Sequence, residues 1–144
     1  MISSSTGSKQ MSATEDFIDT NVLLYLLSSD AEKANRAEAV IEGGATISVQ
    51  VLNEFASVAA RKLKMTIPEI REILETLRNL CTVAPLTEAT HVTGLDLADH
   101  HSLSIYDAMI VSAAMLAGCR RLWSEDMQHG YQINQSLIIQ NPFR

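Results

Sequence analysis

The sequence predicts an α/β fold, a three-layer α/β/α sandwich built around a mainly parallel central sheet. Short apolar stretches suited to buried strands alternate with helical patterns of about ten to fifteen residues, which is typical of parallel sheets covered on both faces. The 144 residues are 47% hydrophobic and 19% charged, so the chain can bury one core but hardly a second. We therefore expect a single domain over residues 15–144.

In the first half of the chain, each predicted strand leads into helical sequence. Asp30 is a suitable N-cap for one helix, and the glycine pair 43–44 ends it. The basic stretch 61–64 ends another, because cations favour a helix C-terminus. The predicted elements are strand 16–19, helix 22–27, helix 30–42, strand 45–48 and a helix from residue 49 to the basic stretch.

In the second half, capping signals again mark the helices. Thr66 and Glu69 match a capping box, with Pro68 between them in the first turn. Ser104 is a suitable N-cap for a long apolar helix that ends at Gly118. The predicted elements are a helix from residue 66, strand 81–84, helix 88–100, helix 105–116, strand 119–123, a polar turn at 124–126 and strand 136–140.

Composition excludes several classes of protein. Lys and Arg number 11 against 17 Asp and Glu, a net charge of −6, so nucleic acid is not held by bulk positive charge. Two cysteines are too few for a disulfide scaffold, and the longest apolar run, 22–27, is far shorter than the roughly 18 residues of a membrane span. We expect a soluble cytoplasmic protein in which residues 1–14, rich in Ser and Thr, are a disordered lead or a cloning remnant.

Four carboxylates are expected at the functional edge of the sheet, beyond the carboxyl ends of its strands. Asp19 ends the first strand, Glu54 lies in the helix after the second, Asp107 is in the first turn of the long apolar helix, and Asp126 follows the fourth strand. Two carboxylates about 5 Å apart repel by roughly 3 kcal/mol at an effective dielectric near 20, so a shared pocket requires a cation or raised pKa values. Oxygen ligands suit Mg²⁺ or Mn²⁺.

Three of the four acids also have a structural explanation when each is taken by itself. Ser104 and Asp107 fit a capping box, Glu54 fits a solvated helix face, and Asp126 fits a turn. Asp19 is harder to explain in this way, because an acid within an apolar stretch is expected to be buried and to need a partner. The argument therefore depends on all four together. Carboxylate-held metal ions that activate water for phosphodiester hydrolysis would explain the set.

Several short motifs resemble those of PIN-domain ribonucleases, in the same order and at similar spacing. They are residues 17–21 (FIDTN), 53–54 (NE), 106–108 (YDA) and 124–126 (SED). The terminal stretch 138–143 (IIQNPF) is similar to the last strand of VapC-like members, the toxins of toxin-antitoxin pairs. The resemblance extends from about residue 16 to the end of the chain.

The resemblance implies a Mg²⁺- or Mn²⁺-dependent endoribonuclease that cleaves RNA. Asp19 and Asp107 would be the main metal ligands, while Glu54 and Asp126 would complete the site and help to orient the attacking water. It also implies a VapB-like antitoxin as partner and self-association into a homodimer.

Two polar neighbours match positions in the family that hold the carboxylates in place, namely Asn21 and Ser124. In the Ser-x-Asp motif the matching acid is Asp126, which makes Glu125 the weaker candidate on the resemblance alone.

Two other functions remain open at the level of sequence. An aspartyl-phosphate hydrolase would use Asp19 as its nucleophile, although such enzymes usually carry a second Asp two residues on, where this chain has Asn21. A non-catalytic PIN-like module would only bind RNA or protein.

The histidine pair 100–101 suits a helix C-terminus, and the basic residues at 61–64 and 120–121 suit either solvated surface or contact with an RNA phosphate.

Overall fold

The computed structural model describes residues 15–144 and contains a five-stranded, fully parallel sheet. Its strand order is β3-β2-β1-β4-β5. The strands are β1 (Asp16–Ile18), β2 (Thr46–Ser48), β3 (Thr82–Ala84), β4 (Arg121–Trp123) and β5 (Ile138–Gln140). The prediction of a disordered lead at residues 1–14 lies outside the described residues.

Helices cover the sheet on both faces, which confirms the predicted α/β/α sandwich. The chain moves from β1 to one edge through β2 and β3, then crosses back to β4 and β5 on the other side of β1. Since parallel crossovers are right-handed, the helices before β3 and those after it lie on opposite faces. The helices are α1 (Thr20–Leu24), extended by a 3-10 turn at Tyr25–Leu27, α2 (Ala31–Glu42), α3 (Val49–Arg61), α4 (Ile67–Leu80), α5 (Glu88–His101) and α6 (Ile105–Leu116).

Most predicted helix boundaries agree with the structure because local capping determines them, but the first helix begins at Thr20, two residues earlier than predicted, with Asp19 as its N-cap. The Asp30 side chain accepts hydrogen bonds from the first turn of α2, and Thr66 forms the predicted capping box with Glu69. The last strand starts two residues later than predicted. The Asn134 side chain accepts the backbone N–H groups of Ser136 and Leu137, which closes a turn where the prediction began the strand.

The core lies on both sides of β1, the central strand. Phe17 and Ile18 are fully buried, and Phe17 pairs with Thr46 of β2 and Leu122 of β4. Cys81 and Cys119 are both buried. No helix within residues 15–144 has both the length and the apolar character needed to cross a bilayer.

Candidate active site

The candidate site lies where the strand order reverses. β1 and β4 are neighbours in the sheet, but their connections leave toward opposite edges, which opens a crevice at their carboxyl ends. The backbone N–H of Asp19 donates to the carbonyl of Trp123 at 2.9 Å, so the ends of the two strands are joined directly. Polar residues that follow β1 and β4 are therefore brought together.

Asp19 is the most enclosed acid of this crevice, with only 5% of its surface exposed. One carboxylate oxygen accepts the backbone N–H of Thr20 at 2.7 Å. The other accepts the Ser124 hydroxyl at 2.8 Å and the Asn21 amide at 3.2 Å. The Asn21 side chain also accepts the backbone N–H of Glu125 at 3.0 Å, so it links the segments after β1 and β4. Asn21 and Ser124 thus restrain Asp19 from two elements.

The electrostatics of Asp19 and Asp107 show that the acids influence one another. The pKa of Asp19 is raised to about 6, chiefly by burial and also by the charges of Asp107 and Glu54, while hydrogen bonds from Ser124 and Thr20 oppose the rise. Burial also raises the pKa of Asp107, and the charges of Asp126 and Glu54 add to that effect. The four acids therefore form one electrostatic cluster that disfavours its own full ionisation.

One cavity of about 330 Å³ brings all four acids together. Asp19 comes from the end of β1, Glu54 from α3, Asp107 from the first turn of α6, and Asp126 from the turn after β4. The Ser104 hydroxyl accepts the backbone N–H of Asp107 at 3.2 Å, so the predicted cap of α6 also positions this acid. The simple capping explanation and the functional one are compatible.

Glu54 is held by two residues that the sequence analysis did not select. Its carboxylate accepts the Thr20 hydroxyl at 2.7 Å and the Gln50 amide at 3.1 Å. Gln50, only 8% exposed, also donates to the carbonyl of Tyr106 at 3.1 Å, which ties α3 to the start of α6. The spacing of Gln50 and Glu54, four residues apart on one helix, was a signal that these side chains meet.

The structure separates the two adjacent acids of the turn after β4. Glu125 accepts the Tyr25 hydroxyl at 2.6 Å and pairs with Lys33 at 3.4 Å. Asp126 is exposed and lines the acidic cavity together with Asp107. Glu125 therefore has partners of its own, and Asp126 is the acid of this turn that lines the cavity.

The residues of the cavity fit a hard divalent cation. Its donors in the described part of the chain are carboxylate, hydroxyl and amide oxygens, and neither His nor Cys lines it. Within residues 15–144, no three His, Cys, Asp or Glu side chains are already arranged to hold a metal ion. Mg²⁺ does not require three such side chains, because it keeps several of its own waters and needs only one or two direct carboxylate ligands.

Other polar groups considered from the sequence lie elsewhere or have structural partners. His100 contacts the carbonyl of Asp96 through Nδ1 at 2.8 Å, as expected at a helix C-terminus. Arg121 pairs with Asp16 at 2.9 Å and lies over the ring of Trp123. Arg61, by contrast, lines the acidic cavity.

Comparison with protein families decides the assignment. The family model of the PIN domain matches residues 17–130, which include all four acids. The chain belongs to the PIN domain family. No curated protein shows significant sequence similarity to this PIN domain.

Solved structures share the PIN fold of the chain at low sequence identity. A toxin-antitoxin complex from Klebsiella pneumoniae superposes with a TM-score of 0.66 and 18% identity, covering 88% of this chain and 97% of the other. VapC20 of Mycobacterium tuberculosis, a toxin that cleaves the sarcin-ricin loop, gives 0.63 and 16% over 77% and 89%. VapBC2 of Rickettsia felis, bound to a promoter DNA fragment, gives 0.62 and 16% over 88% and 97%.

Proposed function

We propose that this PIN domain is a Mg²⁺- or Mn²⁺-dependent endoribonuclease. The observation that carries the proposal is the meeting of four carboxylates in one cavity, at the crevice where the strand order reverses. An ionised Asp19 is costly without a cation, because burial and, to a smaller extent, the charges of Asp107 and Glu54 raise its pKa. A cation in this position suits phosphodiester hydrolysis.

The surroundings of each acid indicate its role in the proposed site. Asp19 and Asp107 would be the main ligands, because one is buried and restrained and the other stands in the rigid first turn of α6. Glu54, held by Thr20 and Gln50, would complete the site from α3. A bound divalent ion supplies a Lewis acid that lowers the pKa of water and neutralises charge on the phosphate.

Asp126 differs from the other three acids because it is exposed at the rim of the cavity. An exposed carboxylate at this place can accept a proton from the attacking water and exchange it with solvent. Asn21 and Ser124 keep the Asp19 carboxylate in one orientation, which a ligand needs before it can bind an ion without a large cost in entropy.

The solved neighbours extend the proposal to a biological role. Several are toxins, alone or in complex with antitoxins. We therefore propose that this chain is the VapC-like toxin of a VapBC-type pair, neutralised by a VapB-like antitoxin. Self-association into a homodimer, which the family resemblance implies, belongs to the same proposal. Sedimentation of the purified chain tests the dimer, and loss of cleavage on adding the product of an adjacent reading frame tests the antitoxin.

RNA cleavage by the purified protein tests the proposed activity. We expect cleavage in Mg²⁺ or Mn²⁺, none in EDTA, and a loss of at least about 100-fold in Asp107→Asn. Asp99→Asn is the matched control, because Asp99 is an exposed acid near the end of α5 that does not line the cavity. Equal cleavage by a folded Asp107→Asn protein would refute the proposed mechanism.

The two other functions considered from the sequence give different results in the same experiments. A non-catalytic module would neither cleave RNA nor show heat of binding to Mg²⁺ or Mn²⁺ in calorimetry. An aspartyl-phosphate hydrolase would form a trapped adduct on Asp19 with a phosphate analogue and leave RNA intact.

A further inference from the structure

One face of α3 lies along the acidic cavity. Glu54, Ser57, Val58 and Arg61 all line it, at the spacing i, i+3, i+4 and i+7 that places side chains on a single helix face. The first and last of these residues are about 10 Å apart along the helix axis. The same face therefore offers a carboxylate near Asp19 and a guanidinium further along the cavity.

Arg61 shares its cavity with four acids. Among the described residues, ion pairs within 4.0 Å join Lys33 to Glu125 and Arg121 to Asp16, but none involves Arg61. Its only hydrogen bond in this part of the chain runs from Nε to the Ser57 hydroxyl at 3.3 Å. The terminal nitrogens of an exposed arginine thus remain available to another anion.

The acidic cavity adjoins two other cavities, and the three form one cleft. It shares Asn21, Leu24 and Val58 with a second cavity of about 330 Å³, which Lys62 also lines. It shares Asp107 and Asp126 with a third cavity of about 250 Å³. Because the two neighbours meet the acidic cavity at different residues, a polymer chain can extend from the acids into either of them.

We propose that Arg61 binds the RNA phosphate next to the scissile one, and that Lys62 contacts the RNA further along the cleft, in the second cavity. The proposal rests on the proposed function, since it places a substrate in that site. A divalent ion offsets the charge of the scissile phosphate, but the next phosphate still meets four carboxylates on a protein of net charge −6. A guanidinium on the cavity wall compensates that repulsion, and its paired N–H groups can donate to two phosphate oxygens at once. Arg61 is then a substrate-positioning residue.

Binding of RNA in a cleavage-deficient background tests this role directly. The probe is a fluorescein-labelled single-stranded RNA of mixed sequence, titrated with Asp107→Asn protein in Mg²⁺ and followed by anisotropy over a range of salt concentrations. Adding Arg61→Gln should weaken binding about tenfold and reduce the slope of log K against log salt by about 0.7. Arg61→Lys should restore the slope but only part of the affinity.

Arg71→Gln is the matched control, because Arg71 is exposed on α4 and lines none of the three cavities. It should leave both affinity and salt slope unchanged. Thermal unfolding of Arg61→Gln should match that of its background, since the side chain is exposed. Unchanged affinity and slope in Arg61→Gln, or an unchanged KM in Arg61→Gln with Asp107 intact where the background protein binds no RNA, overturns the proposal.

Kinetics of the protein with Asp107 intact separate this proposal from the proposed function. Arg61→Gln should raise KM about tenfold and change kcat little. A fall in kcat with KM and salt slope unchanged would place Arg61 on the scissile phosphate and contradict the inference, while cleavage itself stands. RNA binding that depends on Arg61 in a protein that cleaves nothing would show that Arg61 binds RNA, but it would refute the proposed activity and with it the placement of Arg61 next to a scissile phosphate.

Discussion

Asp19 combines burial with three hydrogen bonds and a raised pKa. Donors from Thr20, Asn21 and Ser124 stabilise its charged form, yet burial outweighs them and the pKa rises to about 6. A carboxylate that served only to cap α1 would gain from ionisation. Asp19 instead has all of its fixed partners and still lacks a positive charge, which a divalent ion would supply.

The raised pKa of Asp19 predicts how stability changes with pH in the metal-free protein. Its folded pKa of about 6 exceeds the unfolded value of 3.8, so the folded state holds the proton more tightly. Protonated Asp19 therefore stabilises the folded state fully at a pH below the unfolded pKa, and this stabilisation is lost as the pH rises through the folded pKa. The shift of about two units corresponds to about 3 kcal/mol.

Urea denaturation in EDTA checks this prediction by comparing the parent with Asp19→Asn, which cannot titrate at this position. As the pH rises from about 4 to 7, the unfolding free energy of the parent should fall relative to that of Asp19→Asn. Parallel pH profiles for the two proteins would contradict the raised pKa.

Thr20 is predicted to position Glu54. Its hydroxyl donates to Glu54 at 2.7 Å, so Thr20→Val keeps the shape of the buried side chain and removes the bond. We expect kcat for RNA cleavage to fall about tenfold with little change in KM, because one acid loses its orientation. Thr20→Ser should restore most of the activity. Equal kcat values for all three proteins would show that Glu54 does not depend on this bond.

Elements with local capping signals were predictable from the sequence, and those shaped by distant contacts were not. The caps at Asp30, Thr66 and Ser104 act within one helical turn, and the structure shows all three. The sequence did not predict the strand order, because that order depends on contacts between segments far apart in the chain. The partners of Glu125 show the same limit, since Tyr25 and Lys33 are about a hundred residues away.

Gly94 of α5 faces the Met109 side chain of α6. A Cβ at this position would lie 2.5 Å from Sδ and 2.9 Å from Cε of Met109, but 3.6 Å from its backbone. The close contacts involve the flexible end of one side chain, so Gly94→Ala should cost little, while Gly94→Leu should destabilise the protein by about 1–3 kcal/mol.

Denaturation of the single and double variants tests this packing. Met109→Ala should remove part of the cost of Gly94→Leu, because it clears the atoms that the new side chain meets. A double variant whose loss equals the sum of the two single losses would show that the two positions are not coupled.

At the scale of the whole molecule, topology assembles a site that no local motif specifies. The acids span residues 19 to 126 and meet because the ends of β1, β2 and β4 share one edge of the sheet. Sequence could predict this meeting, since the carboxyl ends of parallel strands must face the same way. It could not predict the bond from Thr20 to Glu54, or the place of Arg61 in the cavity, because these follow from how α3 is rotated against the sheet.

Convergence of like charges on one edge predicts that divalent ions stabilise the fold specifically. An ion that binds only the folded state at about 100 times its Kd adds about 2.7 kcal/mol, which for a chain of this size raises Tm by about 5–10 °C. The parent and Asp99→Asn should both show this rise in Mn²⁺ or Mg²⁺. The double variant Asp19→Asn/Asp107→Asn should show little, because two acids of the cavity are gone. Sodium chloride at matched ionic strength controls for general screening of the net charge of −6. If the double variant gains as much from Mn²⁺ as the parent does, the ion acts elsewhere on the surface and the four acids do not form its site.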